Sequence, residues 1–168
     1  MKQILLLALI QLALIADSGE LTKIVDGDTV YFKTNSKTVK CRVAYIDTPE
    51  KYGSKKLDKD LKKSSIRKKD MIHAGRLATK QAEKLLEVGG IYEYKKTGDM
   101  TYGRAVCIIY TKGTTFNELM VSSGYAVPYN YYIKNITDKA HYNALSDNAK
   151  MHTLGLWSKY PNMMQSLR

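Results

Sequence analysis

Two aspartates flank a glycine in Val25-Asp26-Gly27-Asp28-Thr29, and further acids follow in Arg42-Val43-Ala44-Tyr45-Ile46-Asp47-Thr48-Pro49-Glu50. Asp-Gly between two apolar runs makes a good turn by itself, but a turn needs only one aspartate. Brought together in a cleft, Asp28 and Asp47 would repel each other unless a cation lay between them. Oxygen ligands without histidine or thiolate suit calcium or magnesium rather than zinc. Thr101-Tyr102-Gly103-Arg104 supplies a second arginine. A hard cation, two guanidinium groups and the spare carboxylate Glu50 are the parts that phosphodiester hydrolysis needs. The cation, Arg42 and Arg104 would stabilise charge on the phosphoryl oxygens, and Glu50 would orient or deprotonate the attacking water.

These groups need a scaffold that gathers them. Five stretches read as strands: residues 20–26, 29–33, 38–46, 90–96 and 104–111, the first three joined by short turns as an antiparallel meander. Strand alternation puts Arg42 and Asp47 on opposite faces, so both reach one site only if the chain leaves the strand before Asp47. Thr48-Pro49 offers a place for that departure, because proline restricts the residue before it and donates nothing to a ladder. Three stretches read as helices. Leu77, Ala78, Ala82, Leu85 and Leu86 recur with helical spacing in residues 73–87; Thr115-Phe116-Asn117-Glu118 has the form of a capping box; and a last helix starts near Thr137-Asp138 and stops by Gly155. Strands in this order with helices packed on them suggest a small barrel of the OB type. Residues 51–70 carry nine Lys and Arg against three Asp with few apolar residues, and read as a mobile basic loop. That loop either tracks a polyanion or is a solvated surface without a role.

Composition narrows the partners. The 168 residues hold 27 Lys+Arg against 16 Asp+Glu, a net charge of +11, which points to nucleic acid or another acidic surface. Two cysteines and three histidines are too few and too scattered for a disulfide scaffold or a structural zinc site. Lys2, an apolar run from Ile4 to Ile15 and then Ala16 before Asp17-Ser18-Gly19 have the layout of a secretory signal. The expected organisation is therefore a signal peptide over 1–16 and one domain over 17–168. The product would be extracellular or periplasmic, or tethered to the membrane if the signal stays as an anchor.

Four motifs in order resemble the thermonuclease, or staphylococcal nuclease-like, family: Asp26-Gly27-Asp28-Thr29-Val30, Arg42 with Asp47-Thr48-Pro49-Glu50, Tyr102-Gly103-Arg104, and Gly155-Leu156-Trp157-Ser158. The resemblance implies an α+β, mainly β fold, a five-stranded OB barrel with three packed helices. It also implies a monomeric enzyme with calcium-dependent cleavage of DNA and RNA to 3′-phosphate products. Asp28 and Asp47 then look like the calcium carboxylates, Thr48 like a ligand through its backbone carbonyl, and Asp26 like the acid just outside them. Arg42 and Arg104 resemble the phosphate-binding catalytic arginines, Glu50 the general base, and Tyr102 a tyrosine that contacts phosphate. Tyr125, Tyr129, Tyr131 and Tyr132 fall where the family offers rings to a base, with Tyr132 taken as the substrate contact and core packing as the alternative for each. The chain departs from the family in its longer basic loop and in lacking a lysine just before Tyr102. If Arg42 and Arg104 both face the site, strand alternation turns Cys41 and Cys107 into the barrel, and OB topology would set their strands side by side, giving either a disulfide or two buried thiols. The rival from another class is a catalytically silent OB module that only binds nucleic acid. Such a binder gains nothing from three carboxylates beside a bound phosphate.

Overall fold

A computed structural model describes residues 16–168. The expected signal segment, apart from Ala16, lies outside the described residues. Strands β1 (Asp17–Asp26), β2 (Thr29–Lys33) and β3 (Thr38–Val43) form the meander, and β5 (Ile91–Thr101) and β6 (Arg104–Thr111) form a hairpin. The sheet order β3-β2-β1-β5-β6 closes on itself through a parallel β3–β6 pairing, giving the expected five-stranded barrel. Alternation fills it: Leu21, Val30, Phe32, Cys41, Tyr94, Cys107 and Ile109 are fully buried, and Phe32 stacks on Tyr94 with ring centroids 4.7 Å apart. Cys41 and Cys107 are joined by a disulfide across the β3–β6 seam. Closing a loop with a sequence separation of 66 contributes roughly 4 kcal/mol by restricting the unfolded chain.

Five helices rather than three pack on this barrel. The two found beyond expectation are α1 (Lys55–Ser64) and α5 (Pro161–Leu167). The segment expected to be a loop is thus mostly helix. Leu57 is fully buried and Leu61 and Ile66 are partly buried, against a face where α5 contributes Met163, Met164 and Leu167. Three apolar residues suffice because a second helix meets them, while Lys55, Lys59 and Lys63 face solvent. Ser54 caps α1, its hydroxyl accepting from the Leu57 amide.

The other helices follow the sequence pattern. Helix α2 (Lys68–Leu85) begins earlier than expected and buries Met71, Ala74, Ala78 and Ala82. Helix α3 (Phe116–Ser122) carries the expected capping box between Thr115 and Glu118, and α4 is Ile136–Met151. Trp157 is buried in the core beneath them. Among the described residues, no helix is long and apolar enough to cross a membrane.

The third strand ends three residues sooner than its apolar pattern suggests. After Val43 the chain breaks away through Ala44 and Tyr45, the latter at φ 68°, and Ile46–Asp47 (β4) pairs instead with Val127–Pro128 (β7). The backbone groups opened by this departure are taken up by Asn117, which is fully buried. Its amide donates to the Ala44 carbonyl at 2.8 Å, and its carbonyl accepts from the Ile109 amide at 3.1 Å.

Candidate active site

The turn that follows β1 sets the first acid. Asp26 accepts from the Asp28 amide at 3.1 Å, a local Asx-type closure, and this directs the Asp28 side chain toward Thr48. Asp28 Oδ2 accepts from the Thr48 amide at 3.1 Å and from its hydroxyl at 3.0 Å. Gly27 lets the turn lie close: a Cβ there would come 2.9 Å from Thr48 Cγ2 and 3.0 Å from Ala78 Cβ. Arg42, near the end of β3, joins the two strands' acids. Its Nη2 lies 3.3 Å from Asp28 Oδ2 and 3.0 Å from Asp47 Oδ1, and its Nη1 donates to the Val43 carbonyl at 2.9 Å. The departure at Tyr45 brings Asp47 to the same side as Arg42, which the sequence had placed at Thr48-Pro49.

Arg104 enters from β6. The hairpin tip Tyr102-Gly103 has positive φ at both residues, as a tight two-residue turn requires, and leaves Tyr102 almost wholly exposed. Arg104 Nη1 then donates to Thr29 Oγ1 at 3.0 Å, and that hydroxyl is 3.3 Å from Asp28 Oδ1. Arg42 thus contacts both acids directly, while Arg104 reaches Asp28 only through the Thr29 hydroxyl. Glu50 lies just past Pro49, one oxygen accepting from Ser54 Oγ at 3.0 Å and the other 3.3 Å from Lys56 Nζ.

Lys56 was not among the expected site residues. Its ammonium stands 3.2 Å from Asp47 Oδ2, 2.8 Å from Asp60 Oδ2 and 3.4 Å from the Thr48 carbonyl, besides Glu50. Two cations, Arg42 and Lys56, thus serve Asp28, Asp47, Glu50 and Asp60. Burial raises Asp26 to about 7, helped by the neighbouring Asp28 carboxylate. Burial also opposes ionisation of Asp28, but Arg42, Lys56 and the Thr48 donors overcome it and hold that carboxyl below its ordinary range. Asp47 is pushed up to about 6 by burial and by Asp28, against the pull of Lys56 and Arg42. Despite desolvation, the same carboxylates raise both Arg42 and Lys56, so each stays charged.

The oxygen set of Asp28, Asp47 and the Thr48 carbonyl fits a hard divalent cation in chemistry. Its affinity for positive charge is visible in the ammonium already in contact with two of its members. Among the described residues, no group of three or more His, Cys, Asp or Glu side chains forms a metal cage, so a backbone carbonyl and water would have to complete the shell.

The tyrosines divide. Tyr129, Tyr131 and Tyr132 form a cluster with centroids 5.1 to 6.2 Å apart, of which Tyr131 is the exposed member. The Tyr129 hydroxyl is raised first by burial and then by the Asp47 carboxylate. Tyr132 packs between its two neighbours rather than standing alone. The histidines pair elsewhere: His73 with Tyr160, His141 with Glu118, and His152 with the Asn148 carbonyl.

Gly75, in the middle of α2, is a further residue that the sequence reading passed over. A Cβ there would sit 2.5 Å from the Glu50 carbonyl carbon and 2.6 Å from the Lys51 nitrogen. The helix can press on the backbone that carries Glu50 only because this side chain is absent. Gly75→Ala should push back the backbone that carries Glu50 and cost about 1–3 kcal/mol of stability by overpacking. Urea unfolding checks this, and wild-type stability in the variant would show that the close approach constrains nothing.

Residues 40–159 match the family described as staphylococcal nuclease homologue. A micrococcal nuclease from Shigella flexneri is 31% identical over 159 residues, covering 88% of this chain and 76% of that relative. An uncharacterised protein from Methanocaldococcus jannaschii is 29% identical over 150 residues, covering 83% of this chain and 71% of its own length.

Proposed function

Because the chain belongs to the staphylococcal nuclease homologue family, we propose that it is an exported, calcium-dependent nuclease that hydrolyses DNA and RNA with little sequence preference. The observation that carries this reading is the chain of contacts at one rim of the barrel: Arg42 on both Asp28 and Asp47, Arg104 on Thr29 beside Asp28, and Glu50 joined to Asp47 through Lys56. Arg42 and Arg104 approach from adjoining strands and can hold the non-bridging oxygens of one phosphate between them. Glu50, fixed by Ser54, is the group free of Arg42 that can take a proton from water. Calcium, when bound by Asp28, Asp47 and the Thr48 carbonyl, supplies further positive charge to the phosphoryl oxygens. Water gives a proton to Glu50 and attacks phosphorus, the bond to the 5′-oxygen breaks, that oxygen takes a proton from solvent and leaves as a hydroxyl, and the phosphate stays on the 3′ side.

The exposed Lys55, Lys59 and Lys63 on α1 extend positive charge from the rim and suit a polyanionic backbone. Tyr102 on the hairpin tip and exposed Tyr131 are rings on which bases could stack, worth roughly 1–3 kcal/mol per base. The disulfide agrees with an oxidising compartment and so with export.

The test is digestion of single- and double-stranded DNA and RNA with calcium and with chelator, followed by end-group analysis. The expected result is cleavage to 3′-phosphate ends in calcium and none in chelator. Undiminished cleavage in chelator overturns the calcium assignment. Salt-sensitive binding without cleavage in either condition leaves the silent binding module instead.

A further inference from the structure

We infer that Lys56 is a tethered counter-ion seated where the divalent cation would bind, so that the ammonium and the ion exclude each other from Asp47 and Thr48. The inference rests on the divalent-cation reading of these oxygens. Four residues converge on one Nζ: Asp60 at 2.8 Å, Asp47 at 3.2 Å, Glu50 at 3.3 Å and the Thr48 carbonyl at 3.4 Å. Asp47, Thr48 and Asp60 are all buried, so this is a cation in a socket and not a lysine lying along a wet helix surface. An ion held by Asp47 and the Thr48 carbonyl would set a double positive charge against an ammonium on the same two groups, and their repulsion opposes both being there at once.

The lysine also has somewhere to go. Asp60 is its partner at i+4 on α1 and lies nearest, and the side chain keeps 36% of its surface in solvent. Rotation off Asp47 and Thr48 can leave the ammonium on Asp60 without unfolding the helix. Until an ion arrives, Lys56 neutralises Asp47 and also sits on Glu50, the proposed base. The acidic rim is therefore partly neutralised without metal, and metal binding is weaker than the oxygens alone would allow.

Calcium titration calorimetry and thermal melting on the wild type and Lys56→Met read this directly. The variant should bind calcium about tenfold tighter or more, since a partly screened positive charge is removed from the seat. It should also melt lower than wild type in chelator and regain that loss in calcium. Equal calcium affinity in the two proteins overturns the inference while leaving the calcium reading intact. Calcium uptake by neither overturns both. A second readout needs no variant: limited acetylation of the wild type, followed by mass spectrometry, should label Lys56 more in calcium than in chelator. Unchanged or reduced labelling overturns the inference.

Discussion

Glu50→Gln is expected to lower the rate of phosphodiester cleavage by about 10³-fold while nucleic-acid binding stays near wild type. Glutamine keeps the length and the acceptor oxygen, so Ser54 Oγ can still donate to it and the loop need not move. What disappears is the ability to take a proton from water, worth about 4 kcal/mol of barrier at that rate ratio. The fold should tolerate the change, because the Glu50–Lys56 pair is partly exposed and such pairs contribute little. Single-turnover cleavage and an independent binding titration separate the two effects. A near-normal rate would mean that another group manages the water, and Glu50 would be left as a partner of Lys56 alone.

The parts of this site that the sequence made legible are those written in local pattern. Period-two alternation located β2 and β6 and put Cys41 and Cys107 inside the barrel, and the Thr115–Glu118 spacing marked the start of α3. Asp28, Asp47, Glu50, Arg42 and Arg104 were legible as chemical types in order, and they converge in space. What stayed hidden depends on docking between distant segments. The break at Tyr45 is possible because Asn117, far along the chain, satisfies the backbone left open, and nothing near residue 45 announces it. Lys56 looked like one more lysine in a basic run. Its role follows from where α1 seats against α5, and that seat was invisible while the run was taken for a loop. Gly75 was equally silent, since a glycine inside a helix shows its purpose only when the crossing backbone is known.

Arg42→Met is expected to cost about 3–5 kcal/mol of stability in addition to abolishing most cleavage, because, among the described residues, it removes the only guanidinium in contact with buried Asp28 and leaves buried Asp47 to Lys56 alone. Asp28 and Asp47 are 6% and 4% exposed and share the Arg42 guanidinium, so neither can turn to water when it is lost. Lysine is a poor substitute, since a single ammonium cannot serve both acids and the Val43 carbonyl in the planar arrangement that arginine uses. Arg104→Met makes the contrast. Arg104 is less buried and its side-chain partner is the neutral Thr29 hydroxyl, so its removal should cost about 1 kcal/mol or less while lowering the rate at least 10²-fold. Calcium should restore part of the stability of Arg42→Met, because a divalent ion can neutralise the same two acids. It should not restore the rate, because no guanidinium then reaches the phosphate from β3. Urea unfolding with and without calcium, beside cleavage assays on both variants, measures each quantity. Wild-type stability in Arg42→Met would refute the electrostatic account of the pair. Unimpaired cleavage by both variants would refute the role given to the arginines.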